Sequence, residues 1–160
     1  MLDIYIDADG CPVKEEVYRI ARRHDLKATV VSNKPIRIPM DERYSLQVVG
    51  DRLDEVDDWI AEHAAADDIV ITSDIPLASR CLKNGASVLN PRGGEFTEEN
   101  IGSALANREL LAHLRDIGEK SGGPAPFQPM DRSRFLHRLD ETIRQIRKRR
   151  LMTKRTGADV

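Results

Sequence analysis

Four short runs rich in β-branched residues, "LDIYI" at 2–6, "KATVVS" at 27–32, "DIVIT" at 68–72 and "ASVLN" at 86–90, are separated by stretches patterned for helix. "PVKEEVYRIARRH" (12–24) sets Val13, Val17 and Ile20 on one face. "LDEVDDWIAEHAA" (53–65) places Val56 and Ile60 four residues apart, and "PLASRCLKN" (76–84) is stopped by Gly85. Helices that carry the chain from one strand to the next make those strands parallel, and a parallel sheet needs cover on both faces. The expected class is therefore α/β, a three-layer, mainly parallel sheet with helices on both faces. "LQVVG" (46–50) reads as a further strand or an edge. Two more helical patterns follow, "TEENIGSALANRELLAHLRDIG" (97–118) and "DRSRFLHRLDETIRQIRKRR" (131–150), separated by the Gly- and Pro-rich loop "EKSGGPAPFQPM" (119–130).

At 160 residues the chain suits one core better than two. No apolar run approaches the roughly 20 residues that span a bilayer. Asp3, Asp7 and Asp9 interrupt the first apolar stretch, which does not read as a signal peptide, so a cytoplasmic protein is expected. Cys11 and Cys81 are the only cysteines, too few for a disulfide framework. The net charge of −2 hides an asymmetry: residues 132–160 hold ten Lys/Arg against three Asp/Glu, leaving 15 against 24 for the rest of the chain. The basic end, 141–160, is expected to be a helix end fraying into disorder, with an attraction for nucleic acid as the alternative.

Open parallel sheets bind ligands outside the carboxyl ends of their strands, where strand order reverses. That rule selects Asp7 and Asp9 after the first strand, Asn33 after the second, Ser73 and Asp74 after "DIVIT", and Arg92, Gly93 and Gly94 after "ASVLN". Two carboxylates about 4 Å apart repel by roughly 4 kcal/mol at an effective dielectric near 20. A hard divalent cation relieves that repulsion, and Mg²⁺ or Mn²⁺ prefers oxygen ligands. Helix capping before Pro12 accounts for one of Asp7 and Asp9 more readily than for both. In "RLDEVDDWI", Asp54 or Asp57 can complete an acidic cluster, although acids in a first helical turn also suit the helix dipole. Lys34 and Arg37, in the extended segment "SNKPIRIP", suit backbone phosphates. Arg92 and the glycine amides of "NPRGG" suit an anionic oxygen. Cys11, with no histidine near it in sequence, is a weak nucleophile candidate.

The combination "IDADGCPVKEEVYRIA", "VSN", "VDDWI", "DIVITSDIPLASRCLKNGASVLNPRG" and "PFQPMDRSRFLHRLD" closely resembles the YaiI/YqxD-type family of uncharacterised bacterial proteins, from the first strand to about Asp140. Gly10 stands where that family usually carries alanine. More widely, an aspartate ending strand 1, an acidic helix start and a Ser-Asp ending a later strand look like the PIN and NYN nucleases. That resemblance implies a single PIN-like domain over 1–140, with Asp7, Asp54 or Asp57, and Asp74 as acids that bind Mg²⁺ or Mn²⁺ and activate water against a phosphodiester; Asp9 is an additional acid. Asp7, Asp57 and Asp74 are the expected metal set, and Asn33, Lys34, Arg37, Ser73, Arg92, Gly93 and Arg132 the expected substrate contacts. RNA is the favoured partner over DNA. A rival resemblance, "IDADG" followed by "VIT", is to haloacid-dehalogenase-like phosphatases, with Asp7 as nucleophile, Asp9 as acid/base and Thr72 or Ser73 on phosphate. The order of the later motifs fits that rival poorly. A non-catalytic nucleotide- or RNA-binding protein is the third class.

Asp131 is expected to cap the last helix, with Phe127 and Phe135 as apolar anchors. Arg132 and Arg134 then lie in a first turn that disfavours positive charge. Arg132 is accordingly expected to reach back to the acidic body or to a bound phosphate.

Overall fold

The computed structural model describes residues 2–116 and 126–158. The chain runs β1 (Asp3–Asp7), α1 (Lys14–His24), β2 (Lys27–Ser32), β3 (Tyr44–Val48), α2 (Glu55–His63), β4 (Ile69–Ile71), α3 (Ile75–Lys83), β5 (Ser87–Leu89), β6 (Glu95–Phe96), α4 (Glu98–Asp116) and α5 (Pro129–Ala158). The six strands form one sheet in the order β3-β2-β1-β4-β5-β6, parallel except for β6, which returns antiparallel to β5. Strand order runs outward from β1 to β3 and then restarts on the other side of β1 with β4. The reversal therefore lies between β1 and β4.

Side chains alternate across the pleat, and the alternation divides the core in two. Ile4 and Ile6 of β1, Ala28 and Val30 of β2, and Ile69 and Ile71 of β4 face α1 and α5, where they meet Val17, Ile20, Phe135, Leu139 and Ile143. Tyr5, Val31, Val70 and Val88 face the other way, toward Ile60 of α2 and Leu77 and Ala78 of α3. The period of two puts Asp7 on Tyr5's side of β1, beside the starts of α2 and α3. Helix α4 packs on α3.

The expected strands are all present, with "LQVVG" realised as the edge strand Tyr44–Val48. The β2–β3 crossover contains no helix. Pro35 and Pro39 break any helical run, and Ile36 and Ile38 of this segment pack against the α1/α5 core instead. β6 lies between the expected strand 86–90 and the expected helix from 97, where no element was expected; two residues are too few for a periodic signal.

The last helix differs most from expectation. Pro129, not residue 132, opens α5, so Asp131 is its third residue, and its carboxylate accepts from the Gln128 amide at 2.9 Å as the reciprocal half of a capping box. The helix passes through the boundary expected after residue 140: Thr142, Ile143 and Ile146 are buried, and helix continues to Ala158 in place of the expected fraying. Residues 159–160 lie outside the described residues, as do 117–118 of the expected helix and 119–125 of the expected Gly/Pro loop. Phe135 is fully buried, and Phe127 packs at the margin of the same core. No helix among the described residues is long and apolar enough to cross a membrane.

Candidate functional site

A cleft of about 930 Å³ opens at the carboxyl ends of the strands, over the β1/β4 reversal. Every loop that leaves the first four strands contributes to it. Asp7, Ala8, Asp9, Gly10 and Lys14 come from the β1–α1 connection, and Asn33, Lys34 and Ile36 follow β2. Asp51 to Asp57 lead into α2, and Ser73 and Asp74 follow β4. Of the sequence-selected residues the structure thus gathers Asp7, Asp9, Asn33, Lys34, Asp54, Asp57, Ser73 and Asp74 around one cavity.

Asp7, the last residue of β1, is buried. Its carboxylate accepts from the Thr72 hydroxyl at 2.8 Å, and the same Thr72 oxygen accepts from the Asp74 amide at 2.9 Å. Burial pushes the Asp7 carboxyl up, while the hydrogen bonds from Thr72 and the Asp9 backbone pull it down. Asp74 caps α3, accepting from the Leu77 amide at 2.8 Å, with Pro76 just inside the helix. The capping role that the sequence offered to Asp7 or Asp9 before Pro12 is filled by neither, since α1 is capped at Val13 with no side-chain hydrogen bond. The aspartate that does cap a helix here is Asp74.

The acids of "LDEVDD" point in different directions. Asp58 turns away to Arg80 at 2.7 Å, and Glu55 pairs with Arg52 at 2.5 Å. Asp54 is an exposed residue on the cleft rim, with a left-handed φ of 67° and no capping hydrogen bond. Asp57 is half-buried and lies in the field of three other carboxylates. Burial first, then Asp74, Asp7 and Asp54, raise its carboxyl to about 7, against a modest opposing pull from Arg80. Among the described residues no three His, Cys, Asp or Glu side chains stand close enough together to hold a metal ion unaided.

The basic residues expected at this rim divide. Lys34 lines the cleft and is joined by Lys14 and Arg52, which the sequence reading did not select; Arg37 is exposed and is not among the lining residues. Arg92 and Gly93 lie elsewhere. Asn90 already occupies the amides of its loop, its side-chain oxygen accepting from Arg92 at 2.9 Å and Gly94 at 3.0 Å, and its carbonyl from Gly93 at 3.1 Å. A Cβ on Gly93 would stand 2.8 Å from the Arg134 backbone carbon, so this glycine serves the approach of the loop to α5. Arg92 pairs with Asp131 at 3.1 Å. Arg132 makes the expected reach to the body: it donates to Glu16 at 2.6 Å and to the Pro12 carbonyl at 3.0 Å. Both guanidinium groups lie over the Phe127 ring, at 5.8 and 5.1 Å.

Thr72, Lys14 and Arg52 are the site residues that sequence reasoning undervalued. Thr72 ends the "DIVIT" run, and its position beside Asp7 was readable only once β4 was paired with β1. Cys11 is buried, and that burial raises its thiol, which removes it as a ready thiolate. Gly10 has φ 64°, so it takes without strain a turn that would cost an alanine roughly 1 kcal/mol.

Residues 5–145 match the family described as uncharacterised bacterial proteins of the YaiI/YqxD type, and the chain belongs to that family. It is 53% identical over 148 residues to the UPF0178 protein bll3966 of Bradyrhizobium diazoefficiens, covering 92% of this chain and 89% of the relative. A UPF0178 protein of Nitrobacter winogradskyi is 54% identical over 145 residues, 91% of this chain and 92% of its own length. The UPF0178 protein RC1_2062 of Rhodospirillum centenum is 52% identical over 154 residues, 94% of this chain and the whole of the relative. No solved structure matches the chain significantly.

Proposed function

We propose that the protein is a divalent-metal-dependent phosphodiesterase of PIN/NYN-like kind, acting on RNA in preference to DNA. The observation that carries this reading is Asp57, a half-buried carboxyl raised to about 7 by burial and by the acids around it in an open cleft. A site that leaves carboxylates so poorly compensated near neutral pH favours a cation.

The donors are carboxylate oxygens, the chemistry that Mg²⁺ and Mn²⁺ select. The lack of a preformed three-acid cage is compatible with such an ion, because Mg²⁺ commonly uses one or two carboxylates and completes its shell with water and phosphate. One or two of Asp7, Asp57 and Asp74 would hold it, with water and phosphate completing its shell. When bound, such an ion lowers the pKa of a bound water and stabilises charge on phosphate oxygens.

The chain's own residues divide the remaining work. Thr72 fixes the Asp7 carboxylate through its hydroxyl and ties it to the turn that presents Asp74. Lys14, Lys34 and Arg52 set positive charge around an acidic floor, where they attract a phosphate backbone, and Asn33 and Ser73 supply neutral hydrogen-bonding groups to its oxygens. The dehalogenase-like reading needs Thr72 or Ser73 on the phosphate. Thr72 is buried and engaged by both aspartates, which leaves Ser73 alone for that part.

Incubation of labelled single-stranded RNA and DNA with the purified protein and Mn²⁺ tests the reading. Cleavage is expected, with RNA the better substrate, and loss of at least about 100-fold is expected for Asp7→Asn and Asp57→Asn, the scale on which loss of electrostatic transition-state stabilisation acts. Undiminished cleavage by both variants would trace the activity to a contaminant. Turnover confined to phosphomonoesters, with phosphate trapped on Asp7, would replace the reading by the dehalogenase-like one. Binding without cleavage would leave a nucleic-acid-binding protein.

A further inference from the structure

The C-terminal half of α5 carries a second feature that the cleft does not use. From Arg144 to Arg155 seven of twelve residues are Lys or Arg, and none is acidic. The last buried side chain of the helix is Ile146, yet helix persists to Ala158. At 100° per residue, Arg144, Arg147, Lys148, Leu151, Lys154 and Arg155 fall within one solvent-facing sector, and all are exposed. Phe135, Leu139, Ile143 and Ile146 fall in a separate, adjoining sector and seat the helix on the sheet.

The remaining two cations anchor this end. Arg149 and Arg150 reach Asp67 at 3.7 and 3.3 Å, and Arg147 donates to the His24 carbonyl at 2.5 Å. Asp67 precedes β4 and His24 ends α1, so the stripe sits at the amino-terminal rim of the sheet, the far side from the cleft. Among the described residues, Lys148, Lys154 and Arg155 have no ion-pair partner. The positions 144–155 span about 16 Å of helix, against about 3.4 Å per phosphate along one strand.

We infer that this stripe is a nucleic-acid-binding arm, a second site for the phosphodiester backbone that is separate from the cleft and reads charge rather than sequence. A membrane surface would need a broad apolar face opposite the charges. Beyond Ile146 the described apolar side chains are Leu151 and Met152 only, and Leu151 falls among the charges of the stripe itself. The arm needs no hydrolysis in the cleft.

Fluorescence anisotropy of the full chain with a labelled single-stranded RNA of about 20 nucleotides, across a KCl series in EDTA, reads the arm alone. A log–log salt slope of about −0.7 per phosphate contact is expected for single strands. The variant K148Q/K154Q/R155Q should lose about 2 from that slope and bind at least ten-fold more weakly at 100 mM KCl, with an unchanged circular dichroism spectrum. The charge-conserving K148R/K154R/R155K should retain both slope and affinity. Equal slope and affinity in the neutralised chain would overturn the inference, as would binding to vesicles rich in phosphatidylserine without binding to RNA. Because EDTA silences metal-dependent cleavage, a protein that never cleaves RNA would still show the arm, and one without the arm could still cleave.

Discussion

The two rims of the sheet are both rich in aspartate, and they treat their carboxylates differently. At the amino-terminal rim Asp68 is buried and accepts from the Asp3 amide at 3.0 Å and the Ala65 amide at 2.9 Å, while Asp67 is met by Arg149 and Arg150. At the carboxyl-terminal rim the charge that lowers Asp57 is Arg80, which is itself committed to Asp58. Acids that receive donors from their own neighbourhood are structural. Acids left in one another's field are held there by the fold at a cost, and a ligand is the economical compensation. The contrast is not complete, since Asp3, partly buried beside Asp68, is also raised.

The sharpest test of the structural side is Asp68→Ala. It strands two amides at the base of β1 and β4, and a loss of about 2–4 kcal/mol in urea unfolding is expected, from roughly 1–3 kcal/mol per unsatisfied buried group. A loss below about 0.5 kcal/mol would dissolve the distinction between the rims.

Thr72→Val is the next largest. It keeps the shape but removes the donor to Asp7 and the acceptor for the Asp74 amide. A cost of about 1–3 kcal/mol is expected, with the Asp7 carboxyl moving further up, followed by carbon-detected titration of its side-chain resonance. An unmoved Asp7 would show that Thr72 is not its principal partner.

The smallest effect has the most diagnostic sign. The Asp57 carboxyl is raised from 3.8 to about 7, so the folded chain holds a proton that the unfolded chain releases between those values. Stability contributed by this group is greatest below pH 4, falls as pH rises toward 7, and is level above it. Asp57→Asn should therefore stabilise the fold by about 1 kcal/mol at pH 8, a figure reduced for solvent screening of a half-exposed group, and by almost nothing at pH 4. Millimolar Mn²⁺ should raise the melting temperature of the native chain at pH 8 and have a smaller effect on the variant. Destabilisation by Asp57→Asn at pH 8 would mean that the carboxylate is compensated after all.

Much of the site was legible before any coordinates because strand ends are local events. "LDIYI" and "DIVIT" stop where β-branched character stops, and an open parallel sheet turns those stops into one rim, so Asp7, Asp9, Ser73 and Asp74 could be placed together. Asn33 and Lys34 followed for the same reason. Arg92 and Gly93 satisfied the same rule and yet left the cleft, because Asn90 closes their loop on itself and Gly93 admits the backbone of α5. That contact joins segments some 40 residues apart, and no local pattern announces it.

The amino-acid sequence by itself determined the five parallel strands, most of the helices and the chemistry available at each strand end, since these follow from periodicity, punctuation and side-chain type. Only the tertiary structure decided which carboxylates stay uncompensated. Asp54, Asp57 and Asp58 share one short stretch, and the angle at which α2 packs on the sheet sends one to Arg80, leaves one on the rim and turns one inward. It also decided that the basic end of the chain continues as helix on the rim opposite the acids, because burial of Thr142, Ile143 and Ile146 against a distant sheet sustains a segment whose own composition favours solvent.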